Sequence, residues 1–351
     1  MAMHTGSAAL RVVVTGATGA LGPAVVRGLA ADPRVGTVVG LSRHPPHTGH
    51  PADPRHPADH RDTPAPERVR FVRADLTTEP DLAGLFAGAD AVVHLASLSP
   101  PARDPAATWR TNVIGSDRVF EAAAAAGVPA LVHASSVMAY APGPKDRAVD
   151  ECWPTHGWPA AAYPREKAYA ERLLDAFERR HPGVRVARIR PGIALHGAGA
   201  PGQRRRFAGP LAPTRLPPGP LRALPDVPGL RFQAVHTDDA ADAFRRAALD
   251  RGARGAFNVA ADPPVDAALL AELTGARRVR VPARAARAAL AAAFALRLVP
   301  TSAGTLDSVL SLPLMDTARA RGVLGWAPRH SARAAIAALV EGPGAASGER
   351  P

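Results

Sequence analysis

From Arg11 to about Pro191 the chain alternates short, almost wholly apolar runs with longer stretches in which alanine and leucine recur at helical spacing. The apolar runs Arg11–Thr15, Thr37–Leu41, Val69–Arg73, Ala91–Leu95, Ala130–Ala134 and Val184–Arg190 have strand length. Between most of them lie Leu21–Ala31, Asp81–Ala87, Ala106–Ala126 and Ala161–Arg180, which read as helices. A strand that is apolar on both faces belongs inside a parallel sheet covered by helices, and crossovers between parallel strands are right-handed. The pattern therefore predicts a doubly wound parallel α/β sheet. His44–Pro66 interrupts it with seven prolines and no Val, Ile, Leu or Phe, and is expected to be a mobile insertion.

Beyond Pro191 the pattern changes. Gly192–Pro228 is rich in Gly, Pro and Arg and reads as irregular. A strand at Phe232–His236, a helix after Asp238, a strand at Ala256–Val259 and two further helical stretches follow. The expected organisation is one domain over 10–191 carrying the insertion 44–66, and a smaller C-terminal lobe over 192–341. Residues 233–260 of that lobe return to the first domain, and 342–351 form a frayed tail.

Composition removes several classes of function. The formal charge is +12 and the pI about 11.2, yet only Lys145 and Lys167 are lysines, and the arginines are scattered without interleaved aromatics. Helix-turn-helix and zinc-finger spacings are absent, so no nucleic-acid partner is expected. The N-terminus lacks a signal-peptide core. The most apolar helical stretch, Ala288–Val299, is interrupted by Arg297 and too short to span a bilayer, so no membrane association is expected. Cys152 is the single cysteine; with no base partner at a telling spacing it reads as incidental, and a cytoplasmic location fits. Five of thirteen histidines fall in the insertion without carboxylate or cysteine at ligand spacing, so no metal is expected.

The first strand runs into Thr15-Gly16-Ala17-Thr18-Gly19-Ala20-Leu21-Gly22. Between a strand and a helix, such glycines permit a tight turn (Gly16), close approach of backbone to a pyrophosphate (Gly19) and packing of the following helix against the sheet (Gly22). The helix N-terminus then offers unpaired N–H groups to the phosphates. The second strand ends in Ser42-Arg43, where NAD-selective sites hold an acidic residue for the ribose hydroxyls. A missing carboxylate and a guanidinium favour the 2′-phosphate of NADP over NAD. Asp75 either accepts from the adenine amino group or caps the turn before Leu76-Thr77-Thr78. Tyr163 and Lys167 stand at i and i+4 on one helix face, where an ammonium favours the phenolate and makes the tyrosine a usable acid or base. Ser136 closes the fifth strand at the carboxyl edge of the sheet, placed to hold a substrate oxygen.

These segments, with RADL at 73–76, HLA at 94–96, TNVIGS at 111–116, ASSVMAY at 134–140, RPG at 190–192, VHTDDAADAF at 235–244, FNVA at 257–260 and LGWAP at 324–328, run through nearly the whole chain. Together the sequence resembles an extended short-chain dehydrogenase/reductase of the NAD-dependent epimerase/dehydratase family. The resemblance implies a Rossmann sheet with a C-terminal substrate-binding lobe. It implies Tyr163 as general acid/base, Lys167 as its partner and nicotinamide-ribose contact, and Ser136 as donor to the substrate oxygen. Asp75 and Leu76 would border the adenine, and Leu95, Ala96, Asn112 and Pro191 would lie along the cofactor, beyond the loop residues Gly16, Thr18, Gly19, Ala20, Leu21 and Gly22. Tyr140, His196 and Phe207 are candidates for the substrate lining, with packing or surface roles as the alternative.

Departures from the family pattern matter too. Dehydratases place an Asp-Glu pair where Val137 and Met138 stand, so water elimination is not expected. The arginine that meets a nucleotide-sugar diphosphate is replaced by Phe232, with Arg231 one residue early. The expected activity is hydride transfer between nicotinamide, NADP preferred, and a carbonyl or secondary alcohol. A sugar or nucleotide-sugar epimerase using retained NAD is the alternative within enzymes, and a non-catalytic dinucleotide sensor the alternative outside them. The expected partner is a small molecule, with a homodimer through the flanking helices possible from the resemblance.

Overall fold

Seven strands pair side by side, all in parallel, in a computed structural model that describes residues 9–46, 67–98, 104–195 and 223–341. In chain order the strands are β1 (Leu10–Thr15), β2 (Val35–Ser42), β3 (Val69–Arg73), β4 (Ala91–His94), β5 (Ala130–Ala134), β6 (Ala148–Val149) and β7 (Arg185–Pro191). They continue with β8 (Ile193–Leu195), β9 (Ala223–Asp226), β10 (Arg231–His236), β11 (Gly255–Val259), β12 (Ala261–Asp266), β13 (Arg277–Arg280) and β14 (Leu314–Met315). The large sheet has the order β3-β2-β1-β4-β5-β7-β11, so the chain builds outward in one direction, returns to the middle, and builds outward in the other. This is the doubly wound sheet that the apolar runs predict.

The central strand explains the pattern. Val12, Val13 and Val14 are each fully buried, but alternate in direction. Val12 and Val14 pack with Val25 and Leu29 of helix α1 (Gly22–Ala30) on one face. Val13 packs on the other, with Phe120 and Phe177. That second layer consists of α2 (Leu82–Phe86), α3 (Pro105–Trp109), α4 (Gly115–Ala125) and α5 (Ala162–Arg180). Helix α6 (Thr237–Leu249) joins α1 in the first layer through Phe244 and Ala247, which are both fully buried.

One expected helix proves to be two. Ala106–Ala126 was a single helical pattern, but a π-type turn at Arg110–Ile114 separates α3 from α4. Within that wider turn Asn112 is buried and bonds outside its own helix. Such turns recur at functional sites.

After β7 the chain makes small sheets. β10 pairs in parallel with β8 and antiparallel with β12; β13 pairs with β9, and β14 with β6. A separate apolar cluster of Leu195, Ala234, Val265 and Ile336 lies beneath them. Helix α6 and β11 rejoin the large sheet, β11 pairing with β7. Most of the His44–Pro66 insertion, most of Gly192–Pro228 and the 342–351 tail lie outside the described residues, as do the lining candidates His196 and Phe207. Among the described residues no helix is long and apolar enough to cross a membrane.

Candidate active site

At the reversal of strand order, β1 and β4 lie side by side and their following segments diverge, leaving the crevice where open α/β sheets bind ligands. Gly16 adopts φ +71°, and a Cβ there would stand 2.6 Å from the Ala96 amide nitrogen. Only glycine fits so close to the β4 exit. At Gly22 a Cβ would meet the Ala17 carbonyl oxygen at 2.3 Å, so this glycine lets the helix start against its own preceding loop rather than against the sheet, as the spacing had suggested. Gly19 is exposed and more open, with the Gly16 oxygen its near neighbour. Among the described residues the amides of Thr18, Ala20 and Leu21 have no backbone acceptor, while those of Gly19 and Gly22 bond within the loop. These donors at the start of α1 fit the phosphates of a dinucleotide.

Along the same edge the other expected residues follow in strand order. At the end of β2 the Ser42 hydroxyl meets Thr18 Oγ1 at 2.6 Å and accepts from the His44 amide. Arg43 is exposed. Asp75 uses Oδ1 to accept from the Thr77 amide and hydroxyl, the capping role that spacing left open. Those hydrogen bonds, with the Arg43 guanidinium adding a smaller pull, hold its carboxyl below the usual range. Leu76 is buried, while Leu95 and Ala96 are half-buried where β4 ends. Pro191 closes β7 opposite Val259.

Helix α5 carries Tyr163 and Lys167, the two residues expected to handle the proton. Lys167 is buried and donates to the Ala134 carbonyl at 2.7 Å, which fixes its ammonium at the end of β5. The ammonium lies 5.4 Å from the centroid of the half-buried Tyr163 ring. Burial pushes Lys167 down to about 8, with the carboxylates of Glu171 and Glu166 pulling the other way. Two residues past Ala134, Ser136 caps the short turn Val137–Ala139, its Oγ accepting from the Met138 amide at 3.1 Å. The turn packs on α5, so Tyr163, Lys167 and Ser136 share one corner.

Beneath that corner lies a charged network that sequence reasoning missed. Glu171, one turn beyond Lys167, accepts from Ser135 at 2.5 Å and from Arg190 Nε and Nη2 at 2.8 and 3.0 Å, and from Arg188 at 3.2 Å. Arg190 also donates to the Tyr140 hydroxyl at 2.9 Å, and that hydroxyl donates to Asn258 Oδ1 at 2.7 Å. Tyr140 is thus committed to a buried network, the packing alternative to its suggested place in the substrate lining. Burial pushes its phenol up to about 12. Asn112 donates to Leu98 O at 2.9 Å and to Glu166 Oε2 at 2.7 Å, and Thr108 donates to Glu166 Oε1 at 2.6 Å. Arg190, Glu166 and Asn258 were all visible inside the RPG, YPREK and FNVA segments; the pairings that join them to Tyr140 and Asn112 were not.

Farther along, Arg231 donates to the Lys145 carbonyl at 2.8 Å, and the Lys145 ammonium donates back to Arg231 O at 2.6 Å. Phe232 packs against the small-lobe cluster. Cys152 is exposed. No group of three or more metal-ligating side chains occurs among the described residues.

A family model of the NAD-dependent epimerase/dehydratase family matches residues 12–260. The chain belongs to that family. It is an extended short-chain dehydrogenase/reductase, and its similarity to a UDP-glucose 4-epimerase from Mycolicibacterium smegmatis, 29% identical, covers 95% of this chain and 98% of that protein. A quinoline-oxide ketoreductase, 4-hydroxy-2-methyl-3-oxo-4-farnesyl-3,4-dihydroquinoline-1-oxide ketoreductase from Stigmatella aurantiaca, is 35% identical over 106 residues, only 31% of its length. The solved structure of MoeE5 in complex with UDP-glucuronic acid and NAD superposes with a TM-score of 0.65 at 25% identity, covering 94% of this chain and 97% of that one. The family's enzymes use a nicotinamide dinucleotide, and the loop and edge described above fit one.

Proposed function

We propose that the protein is a nucleotide-sugar epimerase that inverts a secondary alcohol on a nicotinamide dinucleotide it retains. The observation that carries this reading is the Tyr163–Lys167–Ser136 corner in a chain whose similarity to a UDP-glucose 4-epimerase runs nearly end to end. This reverses the order in which composition and motifs alone ranked the two redox activities. When bound, the dinucleotide supplies acceptance and return of a hydride. Tyr163, as phenolate, takes the proton from the substrate hydroxyl and later returns it. The ammonium of Lys167 favours the phenolate, and one of its three N–H donors already goes to Ala134 O, leaving the others to hold the ribose. Ser136 keeps its own O–H to donate to the substrate oxygen, since its lone pair, not its proton, serves the Met138 amide. Val137 and Met138 cannot move a proton, which supports epimerisation over water elimination.

The test is direct. Purified protein is denatured and its supernatant assayed for nicotinamide dinucleotide, and intact protein is incubated with UDP-galactose or UDP-glucose without added cofactor. Retained NAD and interconversion of the two sugars are expected; stoichiometric consumption of added NADPH on simple ketones, with no retained cofactor, would replace this reading by the second one.

That second reading, an NADP-preferring carbonyl reductase, has specific support. Phe232 stands in an apolar cluster where relatives carry the diphosphate arginine, and the Arg231 guanidinium is held on the Lys145 carbonyl. Ser42 and exposed Arg43 also suit a 2′-phosphate. Pairing of two copies belongs to the proposal as well. Ile114 and Tyr169 are exposed on neighbouring elements of one flank, and sedimentation should give twice the chain mass.

A further inference from the structure

Arg118 takes no part in the chemistry above, yet it is committed to the loop that follows β3. It stands half-buried in the first turn of α4 and directs its terminal nitrogens at backbone, not at a carboxylate. Nη1 donates to the Leu76 carbonyl at 2.5 Å, and Nη2 donates to the Glu79 carbonyl. A guanidinium holds its donors in one rigid plane, so a single side chain sets the direction of both carbonyls. The loop depends on such a tie. β3 is the edge strand of the large sheet, with β2 as its one neighbour there, and α2, which follows the loop, has only five residues. Helix α4 begins against the loop: a Cβ on Gly115 would lie 3.7 Å from Thr77 Cγ2 and 3.8 Å from Leu76 Cβ.

The grip on Leu76 reaches Asp75 through one peptide unit. The Leu76 carbonyl and the Thr77 amide share a plane and point in opposite directions. Arg118 holds the carbonyl side, and the amide side donates to Asp75 Oδ1 at 2.9 Å, where the Thr77 hydroxyl also donates at 2.7 Å. The Asp75 carbonyl accepts from the Thr78 and Glu79 amides at 3.1 and 2.7 Å, closing the turn that ends at the second carbonyl Arg118 holds. Oδ2 of Asp75 is left without a hydrogen-bond partner among the described residues. Where the adenine lies beside Asp75, Oδ2 is the atom free to accept from its amino group.

We propose that Arg118 is a positioning residue for the adenine of the dinucleotide, aiming Asp75 Oδ2 at the ring's amino group through the Leu76–Thr77 peptide. This rests on the reading of Asp75 as the residue bordering the adenine. The experiment is a competition. Purified protein is equilibrated with a large excess of both NAD and nicotinamide hypoxanthine dinucleotide, in which an oxygen replaces the adenine amino group. Unbound dinucleotide is removed, the protein is denatured, and the two released forms are quantified by chromatography, with thermal unfolding measured alongside. A carboxylate that accepts from the amino group favours NAD, so the parent should hold it over the hypoxanthine form by about ten-fold. Arg118→Met keeps the stem of the side chain and removes both donors. Its ratio should fall to near parity, about a ten-fold loss of preference. A ratio equal to the parent's would overturn the proposal, because a purely structural role lowers the melting temperature without changing the ratio. Should Arg118→Met fold poorly, Arg118→Lys keeps a cation without the planar fork and should also lose preference; an unchanged ratio there overturns the proposal too. A parent that holds both forms equally would remove the adenine contact of Asp75, and this proposal with it. A parent preference that the Arg118 variants retain removes the proposal alone.

Discussion

At position 42 the second strand ends in a serine whose hydroxyl meets Thr18 at 2.6 Å, and the next residue is an exposed arginine whose charge reaches Asp75. A carboxylate at 42 would face any 2′-phosphate placed there, and removing the guanidinium would take away its partner. The double change Ser42→Asp, Arg43→Ala should therefore weaken NADP binding relative to NAD. A charge-assisted hydrogen bond contributes about 1.5–3 kcal/mol, so the ratio of dissociation constants should move by about ten-fold or more. An unchanged ratio would show that the ribose is recognised elsewhere. Residue roles were unevenly legible. That Tyr163 and Lys167 lie together could be read because their i,i+4 spacing is local. Tyr140 could not be assigned, because its hydroxyl partners Arg190 and Asn258 are 50 and 118 residues away.

Helix α5 shows the same limit one scale up. Its 3.6-residue period was plain, but its buried face carries Glu166, Lys167 and Glu171 before it reaches Leu174 and Phe177. A sequence pattern treats such carboxylates as solvent-facing; here β7 supplies the arginines that let one of them be buried. Glu171→Ala would leave Arg190 buried without its carboxylate, while Arg188 keeps Asp175 and Glu178. Breaking a buried pair in this way costs about 3–5 kcal/mol, to be read from urea unfolding. A loss below about 1 kcal/mol would mean that the network is not holding the helix to the sheet. The central strands β1 and β4 were legible because both faces are covered, giving nearly unbroken apolar runs. β9 (ALPD) and β13 (RRVR) were not, since proline and arginine conceal strands that exist only by pairing with each other. The π-type turn was hidden inside a continuous helical pattern for a like reason: Asn112 answers to Leu98 and Glu166, not to its own neighbours.

Across the whole molecule, two histidines between the sheet and its second helix layer couple stability to pH. His94 is bonded to Thr15 at 2.7 Å and to Ser116 at 2.9 Å, and burial pushes it down to about 3. His133 stacks on His94 with ring centroids 5.4 Å apart, and neither of its ring nitrogens has a hydrogen-bond partner among the described residues. Burial holds it well below its ordinary value too. Both take up a proton near pH 6.5 only when the chain unfolds, so the unfolded state gains protons that the folded state refuses. Stability should thus be full above about pH 6.5 and decline as the pH falls toward the folded-state values, by up to about 1.4 kcal/mol per pH unit for each histidine. His133→Phe keeps an aromatic ring against Phe120 and removes one titration. Between pH 8 and pH 5 its loss of unfolding free energy should be smaller than the parent's by about 2 kcal/mol. Equal losses would mean that His133 is protonated in the folded protein.

The phenol at the sheet edge is the group proposed to move the proton. Tyr163→Phe keeps the ring and its place beside Lys167, so the variant should fold and bind nicotinamide dinucleotide with the parent's affinity. With the sugar nucleotide or ketone that the parent converts, its turnover should fall by about two to four orders of magnitude, the usual contribution of a positioned acid or base. Turnover near the parent's rate, with cofactor bound, would show that another group moves the proton and would contradict the mechanism.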